Sequence, residues 1–113
     1  MIRTEDDFKA DENPCGGKGT ANLHNWLGEK ELIPNVNLMA TIHLSVGGII
    51  GDHEHIGEAE VYRVVSGTGK YNDNGVVKTI TEGDTTVCYD GEVHGVENIG
   101  DDEFVFIGFI VKS

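Results

Sequence analysis

The chain has 113 residues, 38% of them hydrophobic, which suits one compact core and therefore one domain. It carries 20 Asp and Glu against 8 Lys and Arg, for a net charge of -12, and so negative a surface repels nucleic-acid phosphate and anionic lipid headgroups. Its 16 Gly against 2 Pro favour many tight turns between short strands.

Met1 to Asp7 holds no apolar stretch of the kind a secretory signal needs. No run in the chain approaches the ~18 apolar residues of a membrane helix. The expected location is the cytoplasm, with Cys15 and Cys88 both reduced, since two cysteines make no disulfide framework. Cys15 is expected in an exposed loop and Cys88 packed in an apolar run. Thr4 to Asp7 has the residues to cap one short helical turn. Asn13-Pro14-Cys15-Gly16-Gly17-Lys18-Gly19-Thr20 reads as a loop. It is not a phosphate loop, because Lys18 is followed by Gly19 instead of Ser or Thr. Residues 1–30 are set apart as an N-terminal arm, and residues 31–113 as the barrel.

From Thr20 onward the signals are those of strands. Val36, Leu38, Ala40, Ile42, Leu44 and Val46 alternate with Asn37, Met39, Thr41, His43 and Ser45, the period of a half-buried strand. Gly47-Gly48 ends it. Ala59 to Ser66 is a second strand, closed by Gly67-Thr68-Gly69. Asn72-Asp73-Asn74-Gly75 is a hairpin turn between Lys70-Tyr71 and Val76 to Ile80. Glu82-Gly83-Asp84 is another turn, and strands follow over Thr85–Tyr89, Val93–Asn98 and Phe104–Val111. In the last of these both faces are apolar, which predicts burial on both sides. This rhythm of turns predicts an all-β sandwich or barrel.

His53-Glu54-His55 is the strongest chemical signal. On an extended segment, residues two apart share a face, so both imidazoles can reach one ion. Glu60 lies on the next strand, sharing a face with Tyr62 and Val64. A carboxylate on an inward face is costly unless paired, and a metal partner removes that cost. His94 is alone in sequence and must come to the site by folding. The alternative is that these are surface histidines on acidic loops. Two acidic stretches, 51–60 and 82–103, contain three of the five His and no Lys or Arg, a field that draws in a cation. Three imidazoles and one carboxylate suit Mn, Fe, Ni, Co, Cu or Zn better than Ca or Mg.

The residues around the pair resemble the cupin superfamily. Its first motif is matched by Gly47, His53, His55, Glu60 and Gly67, and its second by Gly83, Gly91, His94 and Asn98, all at the family's spacing. One position departs, with Tyr89 where the family has Pro. The resemblance implies a cupin jelly roll, or double-stranded β-helix, with His53, His55, Glu60 and His94 as metal ligands. The chain is similar to the small single-domain members often labelled phosphomannose-isomerase-like. Such cupins commonly form homodimers, often through exchange of an N-terminal strand, for which residues 1–30 are the candidate.

Tyr62, Phe106 and His43 are the candidate pocket residues. Tyr62 shares parity with Glu60, Phe106 is placed near the pocket by the resemblance, and His43 is assigned to the pocket mouth or to an interface. Arg63 is expected to face away from the metal. Trp26 is expected to pack. The scaffold supports many activities. The functional expectation is a metal-dependent enzyme of isomerase, lyase or dioxygenase type on a small metabolite. The alternative is a non-catalytic binding or sensing barrel. No general base accompanies the ligands in the motifs.

Overall fold

Apolar alternation is realised as ten strands in the computed structural model, which describes residues 1–113. They are β1 (Asp7–Glu12), β2 (Thr20–Asn25), β3 (Val36–Leu44), β4 (Ile49–Glu54), β5 (Glu58–Ser66), β6 (Thr68–Asp73), β7 (Val76–Thr81), β8 (Thr85–Cys88), β9 (Val93–Asn98) and β10 (Phe104–Lys112). A six-stranded sheet has the order β1-β2-β3-β10-β5-β8, and a four-stranded sheet the order β4-β9-β6-β7. Every pairing is antiparallel. The inward faces of the two sheets meet in one core that includes Leu44, Val64, Tyr71, Val96, Phe104 and Phe106. This is the expected jelly roll. No helix is long and apolar enough to cross a membrane.

The helical turn expected near Thr4–Asp7 does not form. The chain enters β1 there, pairing with β2 from Asp7↔Asn25 to Glu12↔Thr20. Backbone pairing explains this, since the β1 side chains are almost all exposed and leave no apolar period to read. β2 pairs in turn with β3 of the same chain. β10 also departs from expectation. Phe104, Phe106 and Gly108 are buried, but Val105, Ile107 and Phe109 on its outer face are only half covered. The hairpin turn at Asn74-Gly75 has positive φ at both residues, 52° and 92°, the signature of a type I′ turn matched to strand twist.

Two features of β4 fix where its histidines point. The first is a bulge. Ile50 pairs with Val96 and His53 with His94, so two residues of β4, Gly51 and Asp52, stand opposite Gly95 alone. In a regular strand Ile50 and His53, three residues apart, would face opposite ways; the bulge lets both face inward. The second is the docking of the β1–β2 loop. Lys18 and Ile49 exchange both backbone hydrogen bonds, at 2.9 and 2.7 Å. The approach is so close that a Cβ at Gly17 would strike the Ile49 carbonyl, and one at Gly51 the Cys15 carbonyl. Only Gly serves at these two places.

Asn98, the last motif residue, is structural. It is 2% exposed. Its Nδ2 lies 3.1, 3.1 and 2.9 Å from the carbonyl oxygens of Leu44, Ser45 and Asp102, and its Oδ1 accepts from Gly100 N at 3.0 Å. One side chain thus ties the β3–β4 turn to the β9–β10 turn. Asn98→Ala strips those carbonyls of their donor and is expected to cost about 2–3 kcal/mol, read as a lower urea midpoint at unchanged slope.

Candidate metal centre

β4 and the residue after it supply His53 and His55, β5 supplies Glu60 and β9 supplies His94. Their ligand atoms all lie within 4.8 Å of one another, a group that could hold a metal ion. His55 Nε2 is 3.0 Å from His94 Nε2, and Glu60 Oε1 is 3.0 Å from the first and 3.1 Å from the second. His53 Nε2 is 3.2 Å from His94 Nε2 and 3.9 Å from Glu60 Oε1. Donors about 2.1 Å from one ion are separated by about 3.0 Å at right angles and about 3.4 Å in a tetrahedron. The three shortest separations fit right angles, an open octahedral subset and not a closed tetrahedral site.

Outer partners aim the rings. His53 Nδ1 donates to the Gly51 carbonyl at 2.7 Å and His55 Nδ1 to Glu58 Oε2 at 2.9 Å. Both partners only accept, so Nε2 of each ring is left as the lone pair facing the cluster. His94 Nδ1 lies 2.7 Å from the Tyr71 hydroxyl. The backbone of His55 is gripped as well: its N donates to Glu92 O at 3.1 Å and its O accepts from Gly91 N at 2.6 Å. The turn at Tyr89 therefore holds its ligand strand without the family's Pro. The donor set fits a divalent transition ion, since lone pairs converge at hydrogen-bond distance with too few protons between them.

Electrostatics agree. The Cys15 sulfur beside its ring, and then the Glu60 carboxylate, push His53 up to about 10. Burial opposes ionisation of Glu60, but the hydrogen bonds and charge of the surrounding imidazoles outweigh it and bring the carboxyl down to about 2. Burial lowers His94. Burial, with the charge of Glu60, raises Tyr62 far above the usual phenol range, so its hydroxyl stays protonated.

The cluster opens into a cavity of about 210 Å³ walled by Leu23, Leu38, Ile42, Ile50 and Ile110, with Asp11, Cys15 and Tyr62 as its other polar groups. No Lys or Arg lines it. A larger groove beside Asp7 and Asn25 gathers no such set of donors. Tyr62 thus meets the cavity, as its parity implied. Phe106 packs on Tyr62, ring centres 4.4 Å apart, but in the core and not in the wall. His43 is not brought to the cavity. Strand parity puts it on the outer face, where it meets Glu103 at 3.3 Å and the His24 ring at 4.9 Å. Trp26 donates to Thr41 Oγ1 at 2.9 Å and meets Phe109 edge-on. Arg63 is exposed and donates to Thr85 Oγ1. Cys15 is exposed and Cys88 buried, as expected. Sequence reasoning missed Asp11, Cys15, Glu58 and Tyr71, none of which stands in a motif. Only the Gly16-Gly17 pair hinted that the first loop packs closely on something.

A jelly roll with three histidines and a glutamate converging in its bore defines a class of metal-binding barrel. The chain belongs to the cupin family, whose cupin domain matches residues 40–110. It is 33% identical over 99 residues to the "Oxalate-binding protein" of Thermotoga maritima, covering 88% of this chain and 82% of that protein. The crystal structure of a predicted oxalate decarboxylase from Thermotoga maritima superposes with a TM-score of 0.91 at 31% identity, over 100% of this chain and 99% of that one. A double-stranded β-helix protein of Klebsiella pneumoniae superposes with a TM-score of 0.67 at 26% identity, over 80% of this chain and 72% of that one.

Three groups of the cluster shape the pH dependence of the metal-free protein between pH 2 and 10. The His53 contribution is whole below its ordinary 6.5 and is lost as pH rises through about 10. That of Glu60 is whole above its ordinary 4.5 and is lost as pH falls through about 2. His94, held below its ordinary 6.5 by burial, favours the unfolded chain as pH falls below that value, so the thermal midpoint without metal is expected to be highest toward the upper end of pH 4.5 to 6.5. At pH 7 metal uptake is expected to release about one proton, from His53, measured by calorimetry in buffers of different ionisation enthalpy.

Proposed function

We propose that this cupin is a metal-dependent enzyme acting on a small chelating carboxylate, with oxalate the first compound to test. The ion is one of Mn, Fe, Ni, Co, Cu or Zn, held by His53, His55, Glu60 and His94. The observation that carries the reading is the convergence of four donor atoms, three of them from residues that line an apolar cavity. When bound, the metal supplies Lewis-acid polarisation of a ligand carboxylate at its open positions. The chain's own residues do the rest. The apolar wall excludes water, and the absence of Lys and Arg leaves the ligand's negative charge to be met at the donor cluster. The neutral Tyr62 hydroxyl and the Cys15 thiol are the groups able to donate a hydrogen bond or a proton to a ligand lying there. The names of the Thermotoga maritima relative and of the superposed crystal structure both support oxalate. A second reading, binding without turnover, is favoured by the lack of any Lys or free His to serve as a general base in the cavity.

Elemental analysis of protein purified without an affinity tag tests the site. One ion per chain is expected, with at least a tenfold weaker hold in His53→Ala and His94→Ala. Unchanged metal content in both variants would remove the ligand assignment. Calorimetry with oxalate should give binding to the loaded protein and none to the stripped protein. Carbon dioxide release from the loaded complex separates lyase chemistry from binding alone.

The partner we propose is a second copy of this chain, seated on the outer face of the six-stranded sheet. On β3, β5, β8 and β10 the outward residues include Met39, Val61, Val65, Val87, Ile107 and Phe109, and none is Asp or Glu. In a chain of net charge -12, this is the face on which two copies meet with least repulsion. Residues 1–30 are the segment proposed to exchange, since the partner's β2 can offer β3 the same backbone bonds. Sedimentation equilibrium is expected to give a dimer, and Ile107→Glu a monomer that keeps its metal. A wild-type monomer would sink this reading.

A further inference from the structure

Three imidazoles present Nε2 to the cluster, but only two have a partner that holds them in the required tautomer. The Gly51 carbonyl and the Glu58 carboxylate can only accept, so the Nδ1 atoms of His53 and His55 must carry their hydrogens. His94 is different. Its Nδ1 lies 2.7 Å from the Tyr71 hydroxyl, a group that either donates or accepts. If the phenol donates, the imidazole hydrogen sits on Nε2 and blocks the lone pair. If the phenol accepts, Nε2 is free. His94 is 1% exposed, so no bulk water arbitrates.

What decides the matter is where the Tyr71 proton goes. Thr86 on β8 stands opposite Tyr62 on β5 and is 9% exposed. Its Oγ1 is the one buried side-chain polar atom of the chain with no hydrogen-bond partner. Tyr62 packs in turn on Tyr71, ring centres 6.2 Å apart, so Thr86 Oγ1 lies beside the Tyr71 phenol without the geometry of a formed hydrogen bond. A buried hydroxyl without a partner is expensive, and natural structures keep few of them without a reason.

We propose that Tyr71 and Thr86 are positioning residues of the metal centre, the phenol donating to Thr86 Oγ1 and accepting from His94 Nδ1–H, which frees His94 Nε2 for the ion. The bond to Thr86 forms when His94 takes up the cation, because only then must Nδ1 keep its hydrogen. The inference rests on the ligand assignment above.

The test is Zn(II) affinity of the full chain, by competition with a chromophoric chelator, in wild type, Thr86→Val, Thr86→Ser and Tyr71→Phe. Thr86→Val keeps the side-chain shape and is expected to weaken Zn(II) binding about 10–100-fold. Its metal-free thermal midpoint should be unchanged or higher, since a partnerless buried hydroxyl is gone. Thr86→Ser should restore affinity. Tyr71→Phe should weaken binding in the same range, and adding Thr86→Val to it should cost little more. Nitrogen-15 spectra of the histidine rings should place the His94 hydrogen on Nδ1 in the Zn(II) form. Metal-free Thr86→Val and metal-free wild type should share one tautomer distribution, since the bond to Thr86 is absent in both. Equal Zn(II) affinity in wild type and Thr86→Val overturns the inference alone. So does a weakened affinity that Thr86→Ser fails to restore. A wild type that takes up no Zn(II) overturns the ligand assignment, and this inference with it.

Discussion

Glu60 Oε1 and the Nε2 atoms of His55 and His94 stand 3.0–3.1 Å apart, and two of the three neighbouring ring hydrogens are committed elsewhere by acceptor-only partners. Lone pairs at that distance repel unless a positive charge sits among them. Without metal the nearest substitute is a proton, and Cys15 first, then Glu60, hold one on His53 up to about 10. The barrel exists in large part to hold this arrangement closed. Three strands from two sheets must bring their ligands within a few ångströms of a point, and the core around Phe104, Phe106 and Leu44 keeps those sheets in place.

Most of the strands are legible in the sequence because each buries one face. The alternation over Val36–Leu44 and the turn at Asn74-Gly75 are direct signals of period and of positive φ, and both are realised. β1 is not legible, since its pairing is made by backbone alone and its side chains face water. The donor cluster is legible from motif spacing. Its supports are not. Tyr71 reaches His94 from a strand whose register no local pattern announces, and Cys15 reaches the cavity through a loop docked across β4. His43 shows the reverse failure. Its strand is plain in the alternation, but a residue on that strand's outward parity cannot enter the bore.

Family membership and chemical task separate here. The donor set is common property of the fold and says little about the ligand. The wall is this chain's own: aliphatic, without Lys or Arg, and carrying one thiol, one phenol and the Asp11 carboxylate. Such a wall offers an anion no Lys or Arg beyond the donor cluster.

The additional residue in β4 has a further bearing on the site. Gly51 and Asp52 together occupy the place opposite Gly95, and that count sets the reading frame of everything to the end of the strand. Were both residues kept but paired regularly, without the bulge, the side chains now pointing to solvent would turn into the bore. Asp52 and Glu54 would then take the places of His53 and His55, and a centre of nitrogen character would become one of oxygen. The chemical hardness of the centre is thus governed by a single step in pairing register, with no change in which residues the strand contains.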